Sequence, residues 1–122
     1  LSSVHGTRAW PDDTAYGICK AGLIRLVKSM SVDLAGHGIT SNCIAPGYID
    51  NSFAPDGADE PAARTMEQLP FLRSHVGSQR GGVPSDIAKM ATVLCSDLGD
   101  YTNGETILVD GGLLAAGTPE PA

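Results

Sequence analysis

The chain contains 122 residues, of which 42% are hydrophobic and 18% are charged, and its formal net charge is −6. This composition is typical of one globular domain, and the acidic balance argues against a nucleic-acid partner, which would need a basic surface. No apolar run approaches the roughly 20 residues that span a bilayer, so no membrane partner is expected. The three cysteines and three histidines lack the spacing of a disulfide framework or a metal site, which favours reduced thiols in the cytoplasm.

The chain opens with a predicted loop and a long predicted helix. Glycine, proline and paired aspartates predict a loop over residues 4–13, in which Trp10 either contacts a substrate or packs under the loop. The helix is predicted from residue 13 or 14 to residue 34, with Asp13 or Thr14 as N-cap and Gly36 or Gly38 as stop. Apolar residues at intervals of three and four predict that one face packs on a sheet: Leu23, Leu26, Val27, Met30 and Leu34.

A strand is predicted next, over residues 39–45. Pro46-Gly47 ends it, because proline cannot donate a hydrogen bond to a sheet. Asn42, within this strand, is expected to tie backbone segments together rather than to contact a ligand.

The second half of the chain begins with a long irregular stretch over residues 50–78. Pro84 fits the first turn of a helix predicted over residues 84–96. Asn103-Gly104 then turns into a strand over residues 106–109, which ends at Asp110-Gly111-Gly112. The tail, residues 117–122, contains two prolines and is expected to be disordered.

Tyr16 and Lys20 carry the clearest chemical signal. They are four residues apart in the predicted helix, a spacing that stacks the phenol and the ammonium one turn apart on the same face. A free phenol has a pKa of roughly 10, and a neighbouring ammonium favours the phenolate. Such a pair can exchange protons near neutral pH as a general acid and base. The same spacing is more often found in ordinary surface residues, so it needs support from other motifs.

Further motifs follow in a fixed order. Ser3 lies 13 positions before Tyr16, and downstream stand Ser41-Asn42-Cys43-Ile44-Ala45-Pro46-Gly47-Tyr48-Ile49, Arg80-Gly81-Gly82-Val83-Pro84, Asn103-Gly104 and Val109-Asp110-Gly111-Gly112. From Leu1 to about Leu113, this series resembles the C-terminal half of the classical short-chain dehydrogenases/reductases. The resemblance implies an α/β fold, the C-terminal half of a Rossmann-type doubly wound parallel sheet in three α/β/α layers. Residues 1–122 would then be the C-terminal part of a single NAD(P)-binding domain.

The resemblance also implies an activity and a set of roles. It implies an oxidoreductase that uses NAD or NADP to transfer hydride between the nicotinamide and a small-molecule carbonyl or secondary alcohol. Tyr16 would be the general acid and base, and Lys20 would favour its phenolate and bind the nicotinamide ribose. Ser3 would orient the substrate oxygen, with Ser2 as the alternative. Tyr16 and Lys20 would thus also touch the cofactor, together with residues that follow the first strand: Pro46, Gly47, Ile49 and Asn51. Many relatives carry threonine where this chain has Asn51.

The same resemblance implies a substrate-binding flap over about residues 50–78 and a homo-oligomer, dimer or tetramer, formed through the long helix. The first half of the family's fold would carry a glycine-rich phosphate loop. Residues 77–82 are rich in glycine but follow no predicted strand, so they do not meet that motif. We therefore expect a fragment of a longer enzyme that binds dinucleotide weakly by itself. The His5-Gly6-Thr7 and Trp10-Pro11 loop is most similar to that of glucose 1-dehydrogenase-like and 3-oxoacyl-(acyl-carrier-protein) reductase-like members.

Three alternatives stay open. The first is an inactive fragment that keeps only the oligomerisation surface, which intact self-association with weak dinucleotide binding would indicate. The second is a nucleotide-sugar epimerase of the extended branch, which shares the Tyr/Lys pair, although the Asp110-Gly111-Gly112 ending argues against this. A serine hydrolase using Ser3 is disfavoured because the sequence lacks a G-x-S-x-G nucleophile elbow.

Overall fold

The architecture comes from a computed structural model, which describes residues 1–50 and 76–116. In chain order these contain a 3-10 turn (Val4–Gly6), helix α1 (Thr14–Asp33), strand β1 (Cys43–Pro46), helix α2 (Pro84–Leu94), a second 3-10 turn (Asp97–Gly99) and strand β2 (Thr106–Val109). The predicted α/β class is confirmed. Most of the predicted flap and the predicted disordered tail lie outside the described residues. In the described ranges, no helix is long and apolar enough to cross a membrane.

Helix α1 starts at Thr14, as predicted, and its last residue is Asp33, one residue before the predicted last helical residue, 34. Gly36 and Gly38 follow it with φ angles of +83° and +69°, a left-handed backbone that glycine adopts without strain. Asp13 occupies the N-cap position, but its side chain makes no hydrogen bond to the helix. The carboxylate turns instead toward the preceding loop, where it has two other donors.

Strand β1 begins at Cys43 rather than at the predicted residue 39. Just before it, the side chain of Asn42 donates to the carbonyl of Thr102 at 2.6 Å and accepts from the N–H of Glu105 at 3.1 Å. These side-chain bonds take the place of ladder bonds at this end of the sheet. They also confirm that Asn42 ties backbone segments together.

The two strands are parallel neighbours. The register runs from Cys43 opposite Thr106 to Pro46 opposite Val109. Because parallel strands end at the same edge of a sheet, the loops after β1 and β2 emerge side by side. The N–H of Gly47 continues the pairing beyond β1 by donating to the carbonyl of Val109 at 3.0 Å.

A second parallel contact joins the segment after β1 to the segment before α2. The N–H of Gly82 donates to the carbonyl of Tyr48 at 3.0 Å, and the N–H of Asp50 donates to the carbonyl of Gly82 at 2.8 Å. In this bonding pattern the residues on either side of Ile49 make the bonds. The amide and carbonyl of Ile49 itself therefore point to the opposite edge of the segment.

The apolar core of the described residues is centred on β1. Its buried apolar members are Val4, Cys43, Ile44, Ala45, Val76 and Val83. The prediction that one face of α1 packs on a sheet is met only in part, since Leu26 and Met30 remain 49% and 38% exposed. The reason is geometric: two strands of four residues extend for about 13 Å, whereas a helix of 20 residues extends for about 30 Å.

An ion pair secures the start of α2. The guanidinium of Arg80 donates to both carboxylate oxygens of Asp86, at 2.7 and 2.9 Å. The N–H of Val83 also donates to Asp86, at 3.0 Å. The hydrogen bonds from Arg80, supported by that of Val83, lower the pKa of the Asp86 carboxyl from 3.8 to about 2 against the opposing effect of its partial burial. The ionised carboxylate is thus favoured in the folded state.

Asp86→Asn is expected to lower the free energy of unfolding at neutral pH by about 1 kcal/mol, because solvent screens a pair whose arginine is partly exposed. A lowered folded-state pKa contributes stability above the unfolded value of 3.8, and this contribution is lost as the pH falls through about 2. Denaturant unfolding of parent and variant should therefore differ at pH 7, and the difference should shrink as the pH falls from 3.8 to about 2. Asp100→Asn, which removes an exposed carboxylate, is the control, and a difference that persists unchanged at the acid end would contradict the assignment.

Candidate active site

A groove of about 600 Å³ lies at the carboxyl edge of β1, between the first turn of α1 and one face of α2. Five of the predicted site residues line it: Ser3, Tyr16, Pro46, Gly47 and Ile49. Apolar side chains of α2 form the facing wall: Pro84, Ile87, Ala88 and Ala91. Lys20 stands one helical turn beyond Tyr16, and Asn51 lies outside the described residues. The structure thus brings together residues that are far apart in the chain.

Ser2 and Ser3 are both buried but have different partners. The hydroxyl of Ser2 donates to the carbonyl of Lys20 at 2.7 Å, so its proton is committed to α1. The hydroxyl of Ser3 accepts from the N–H of His5 at 3.2 Å, which caps the 3-10 turn. A hydroxyl that accepts one hydrogen bond keeps its own proton to donate. Ser2 and Ser3 both line the groove, and Ser3 presents there a hydroxyl that has a proton to donate.

Tyr16 and Lys20 lie on one face of α1, as their spacing predicts. The Nζ atom of Lys20 lies 5.4 Å from the centre of the Tyr16 ring and donates to the carbonyl of Leu1 at 3.3 Å. The Tyr16 side chain is half exposed, at 50%. The arrangement leaves the phenol accessible from the groove, with a positive charge beside its ring.

A cluster of aromatic and charged side chains stands next to Tyr16. One carboxylate oxygen of Asp13 contacts Nδ1 of His5 at 2.8 Å and accepts from the N–H of Trp10 at 3.2 Å. The imidazole of His5 stacks on Trp10 at 4.4 Å and meets the Tyr16 ring at 5.4 Å in an edge-on contact. Trp10 packs within the loop, between the imidazole of His5 and the guanidinium of Arg8.

Sequence reasoning missed this cluster because it treated His5 as a loop histidine and Asp13 as a helix cap. The only available signal was composition: a histidine, a tryptophan and two aspartates occur within nine residues of the loop. Spacing alone carries no information here, since the loop has no repeating geometry. In the described residues, no group of three or more histidine, cysteine, aspartate or glutamate side chains is placed to hold a metal ion.

The floor of the groove depends on close backbone approach. A Cβ atom at Gly47 would lie 2.7 Å from both Cα and Cβ of Asp110, a separation that side chains do not adopt. Asp110 is itself fixed, because its carboxylate accepts from the N–H groups of Gly112 and Leu114, each at 2.9 Å. The loops after β1 and β2 are therefore held in contact at Gly47.

Comparison with known proteins places these features in context. A family model described as enoyl-(acyl carrier protein) reductase matches residues 1–114. The chain is 35% identical, over 113 residues, to the 3-oxoacyl-(acyl-carrier-protein) reductase FabG of Chlamydia trachomatis, covering 93% of this chain and 43% of that protein.

Solved structures of similar proteins also match most of this chain. The acetoin dehydrogenase YohF of Salmonella typhimurium superposes with a TM-score of 0.78 at 32% identity, over 99% of this chain and 45% of that one. A 4-hydroxyisoleucine dehydrogenase complexed with NADH superposes with a TM-score of 0.78 at 28% identity, over 93% of this chain and 44% of that one. These likenesses confirm the predicted Rossmann-type α/β fold. The chain spans less than half the length of each protein.

Gly47→Ala is expected to lower the free energy of unfolding by about 1–3 kcal/mol, because the added methyl forces the two loops apart. Denaturant or thermal unfolding measures this loss. Gly77→Ala is the matched control near the same loop, since its Cβ would lie at an ordinary 3.4 Å from the carbonyl oxygen of Gly111. Equal stabilities for the two variants would contradict the tight contact at Gly47.

Proposed function

Because the chain belongs to the short-chain dehydrogenase/reductase family, as its motifs predicted, we propose that it forms the catalytic part of an NAD(P)-dependent oxidoreductase. The reaction transfers hydride between the nicotinamide and a carbonyl or secondary alcohol. The observation that carries this proposal is the convergence of Ser3 and Tyr16 on one groove, with the ammonium of Lys20 beside the Tyr16 ring. Ser3 precedes the 3-10 turn whereas Tyr16 and Lys20 both lie on α1, so the meeting of the serine with this pair is a property of the fold.

The groove fits one end of a dinucleotide. Its volume of about 600 Å³ lies within the range typical of small-molecule sites. Pro46, Gly47 and Ile49 line its floor at the carboxyl edge of the sheet, where ligands of open α/β sheets bind. The amide and carbonyl of Ile49 point away from the bridge to Gly82, which suits them to pair with a carboxamide. A structural relative at 28% identity is complexed with NADH.

The bound nicotinamide supplies or accepts the hydride, and this chain's residues handle the proton. The phenol of Tyr16 donates its proton to the oxygen of the carbonyl as negative charge develops there, and takes it back in the oxidative direction. The ammonium of Lys20, 5.4 Å from the centre of the Tyr16 ring, places a positive charge near the negative oxygen that remains. The Ser3 hydroxyl donates a hydrogen bond to the same substrate oxygen and stabilises its charge.

The hydrogen bonds favour Ser3 over Ser2 for this last role. The Ser2 hydroxyl already donates to the carbonyl of Lys20, and a hydroxyl has only one proton to give. Within residues 1–50 and 76–116, the Ser3 hydroxyl is engaged only as an acceptor, from the N–H of His5. Ser2 thus holds α1 in place, and Ser3 contacts the substrate.

Tyr16→Phe, made in the full-length protein, should abolish turnover and leave cofactor binding nearly unchanged, because it removes only the transferable proton. Turnover is followed by nicotinamide absorbance, and binding by titration with NADH and NADPH using nicotinamide fluorescence. Tyr101→Phe is the control, since Tyr101 is fully exposed. Turnover of Tyr16→Phe at the parental rate would refute the proposed mechanism.

Ser3→Ala should lower kcat by about a hundredfold, the typical cost of one lost donor to a developing oxyanion. Ser2→Ala should lower the free energy of unfolding by about 1 kcal/mol, as expected for one hydrogen bond, with a smaller loss of kcat. Steady-state kinetics and denaturant unfolding on both variants separate the two roles. The reverse order of kcat values would assign the substrate contact to Ser2.

A further inference from the structure

Asp13 and His5 do not line the groove, although the His5 ring contacts the Tyr16 ring. His5 and Asp13 line a second depression, of about 380 Å³, on the other side of the 3-10 turn. We propose that Asp13 and His5 act as a positioning pair that holds the phenol of Tyr16 for proton transfer. This inference rests on the proposed role of Tyr16 and adds two residues that act through it.

Asp13 fixes the plane of the imidazole. Its carboxylate cannot donate, so the 2.8 Å contact assigns a proton to Nδ1 of His5. The same oxygen accepts from the N–H of Trp10, whose ring stacks on the imidazole with an interplanar angle of 21°. The ring of His5 is therefore held in its plane by a hydrogen bond and on one face by an indole.

The fixed imidazole in turn restrains the Tyr16 ring. The two rings meet at an angle of 81° with their centres 5.4 Å apart, the edge-on geometry that aromatic pairs prefer. The Nζ atom of Lys20 approaches the same ring at 5.4 Å. Half of the Tyr16 side chain is open to solvent, so its ring is held by few neighbours. The contacts with His5 and Lys20 therefore set the direction of its hydroxyl.

Gly17 is an independent indication that the Asp13–His5 pair packs against α1. A Cβ atom at this position would lie 3.2 Å from the carbonyl oxygen of His5 and 3.5 Å from Oδ2 of Asp13. Glycine inside a helix is unfavourable relative to alanine. Here its absent side chain eases the close approach of the His5 carbonyl to α1, next to Tyr16.

Positioning of this kind acts on the rate. A displacement of about 1 Å at a reacting group can cost about a hundredfold in rate. His5→Ala removes the ring that meets Tyr16, and Asp13→Asn keeps the shape of the side chain but weakens the bond that orients the ring. Both should lower kcat about tenfold or more, with less effect on cofactor affinity.

The test uses the full-length protein with His5→Ala, Asp13→Asn and two matched controls. His37→Ala removes an exposed histidine, and Asp12→Asn removes an exposed carboxylate at a φ of 59° that asparagine tolerates. We expect both cluster variants to lose kcat and to shift the pH dependence of kcat, which reports the acid/base group in the complex. Three charged groups lie against the rings of this cluster. Asp13 contacts the His5 ring, Lys20 lies beside the Tyr16 ring, and Arg8 lies over the Trp10 ring. The controls should keep parental kcat and pH dependence.

The inference would be overturned if both cluster variants kept the parental kcat and the parental pH dependence. For this comparison kcat is calculated per cofactor-binding site, and the number of sites is titrated by nicotinamide fluorescence. Should His5→Ala fail to fold, the isosteric Asp13→Asn decides alone. Tyr16→Phe is measured in the same series. An inactive Tyr16→Phe with unaffected cluster variants refutes only the positioning pair, whereas an active Tyr16→Phe refutes the proposed function itself.

Discussion

The placement of α1 against the sheet depends on Ser2. Its N–H donates to the carbonyl of Ile44 in β1 at 2.8 Å, and its hydroxyl donates to the carbonyl of Lys20 in α1 at 2.7 Å. One buried residue thereby joins β1 to the helical turn that carries the ammonium. Gly6 completes the contact, because a Cβ there would lie 2.8 Å from the carbonyl carbon of Lys20. The neighbour of Ser2 in the chain, Ser3, is brought to the groove by the same connection.

The other side of the groove is assembled from backbone contacts between distant segments. The pairing of β1 with β2 brings Gly47 against Asp110, and the bridge between Ile49 and Gly82 brings the segment before α2 alongside. The pair formed by Arg80 and Asp86 then secures the start of α2. Each contact needs a small residue or an extended backbone at the point of approach, since a Cβ at Gly82 would come as close as 3.1 Å to the carbonyl oxygen of Tyr48. The groove has its shape because these approaches are allowed.

How far the sequence predicts the structure depends on whether a feature is local. The start of α1, the whole of β2 and the first turn of α2 at Pro84 follow from local signals, and the structure has them at the predicted residues. The start of β1 does not, because Asn42 bonds to residues near 102–105 that no local pattern reveals. The cluster of His5 and Asp13 was missed for a different reason: a loop has no periodicity from which to predict which side chains meet.

The sequence by itself determined the family and the α/β class, through its ordered series of motifs. It also determined the candidate pair of Tyr16 and Lys20, because helical spacing places residues four apart on one face whatever surrounds the helix. Only the tertiary structure shows how the two chemically identical serines differ: both line the groove, but the Ser2 hydroxyl donates to the carbonyl of Lys20 whereas the Ser3 hydroxyl accepts from the N–H of His5. It alone also decided that Asp13 turns to His5 rather than capping α1. Hydrogen bonds between distant segments depend on how the whole chain packs, and packing is a property of the fold rather than of any short stretch of sequence.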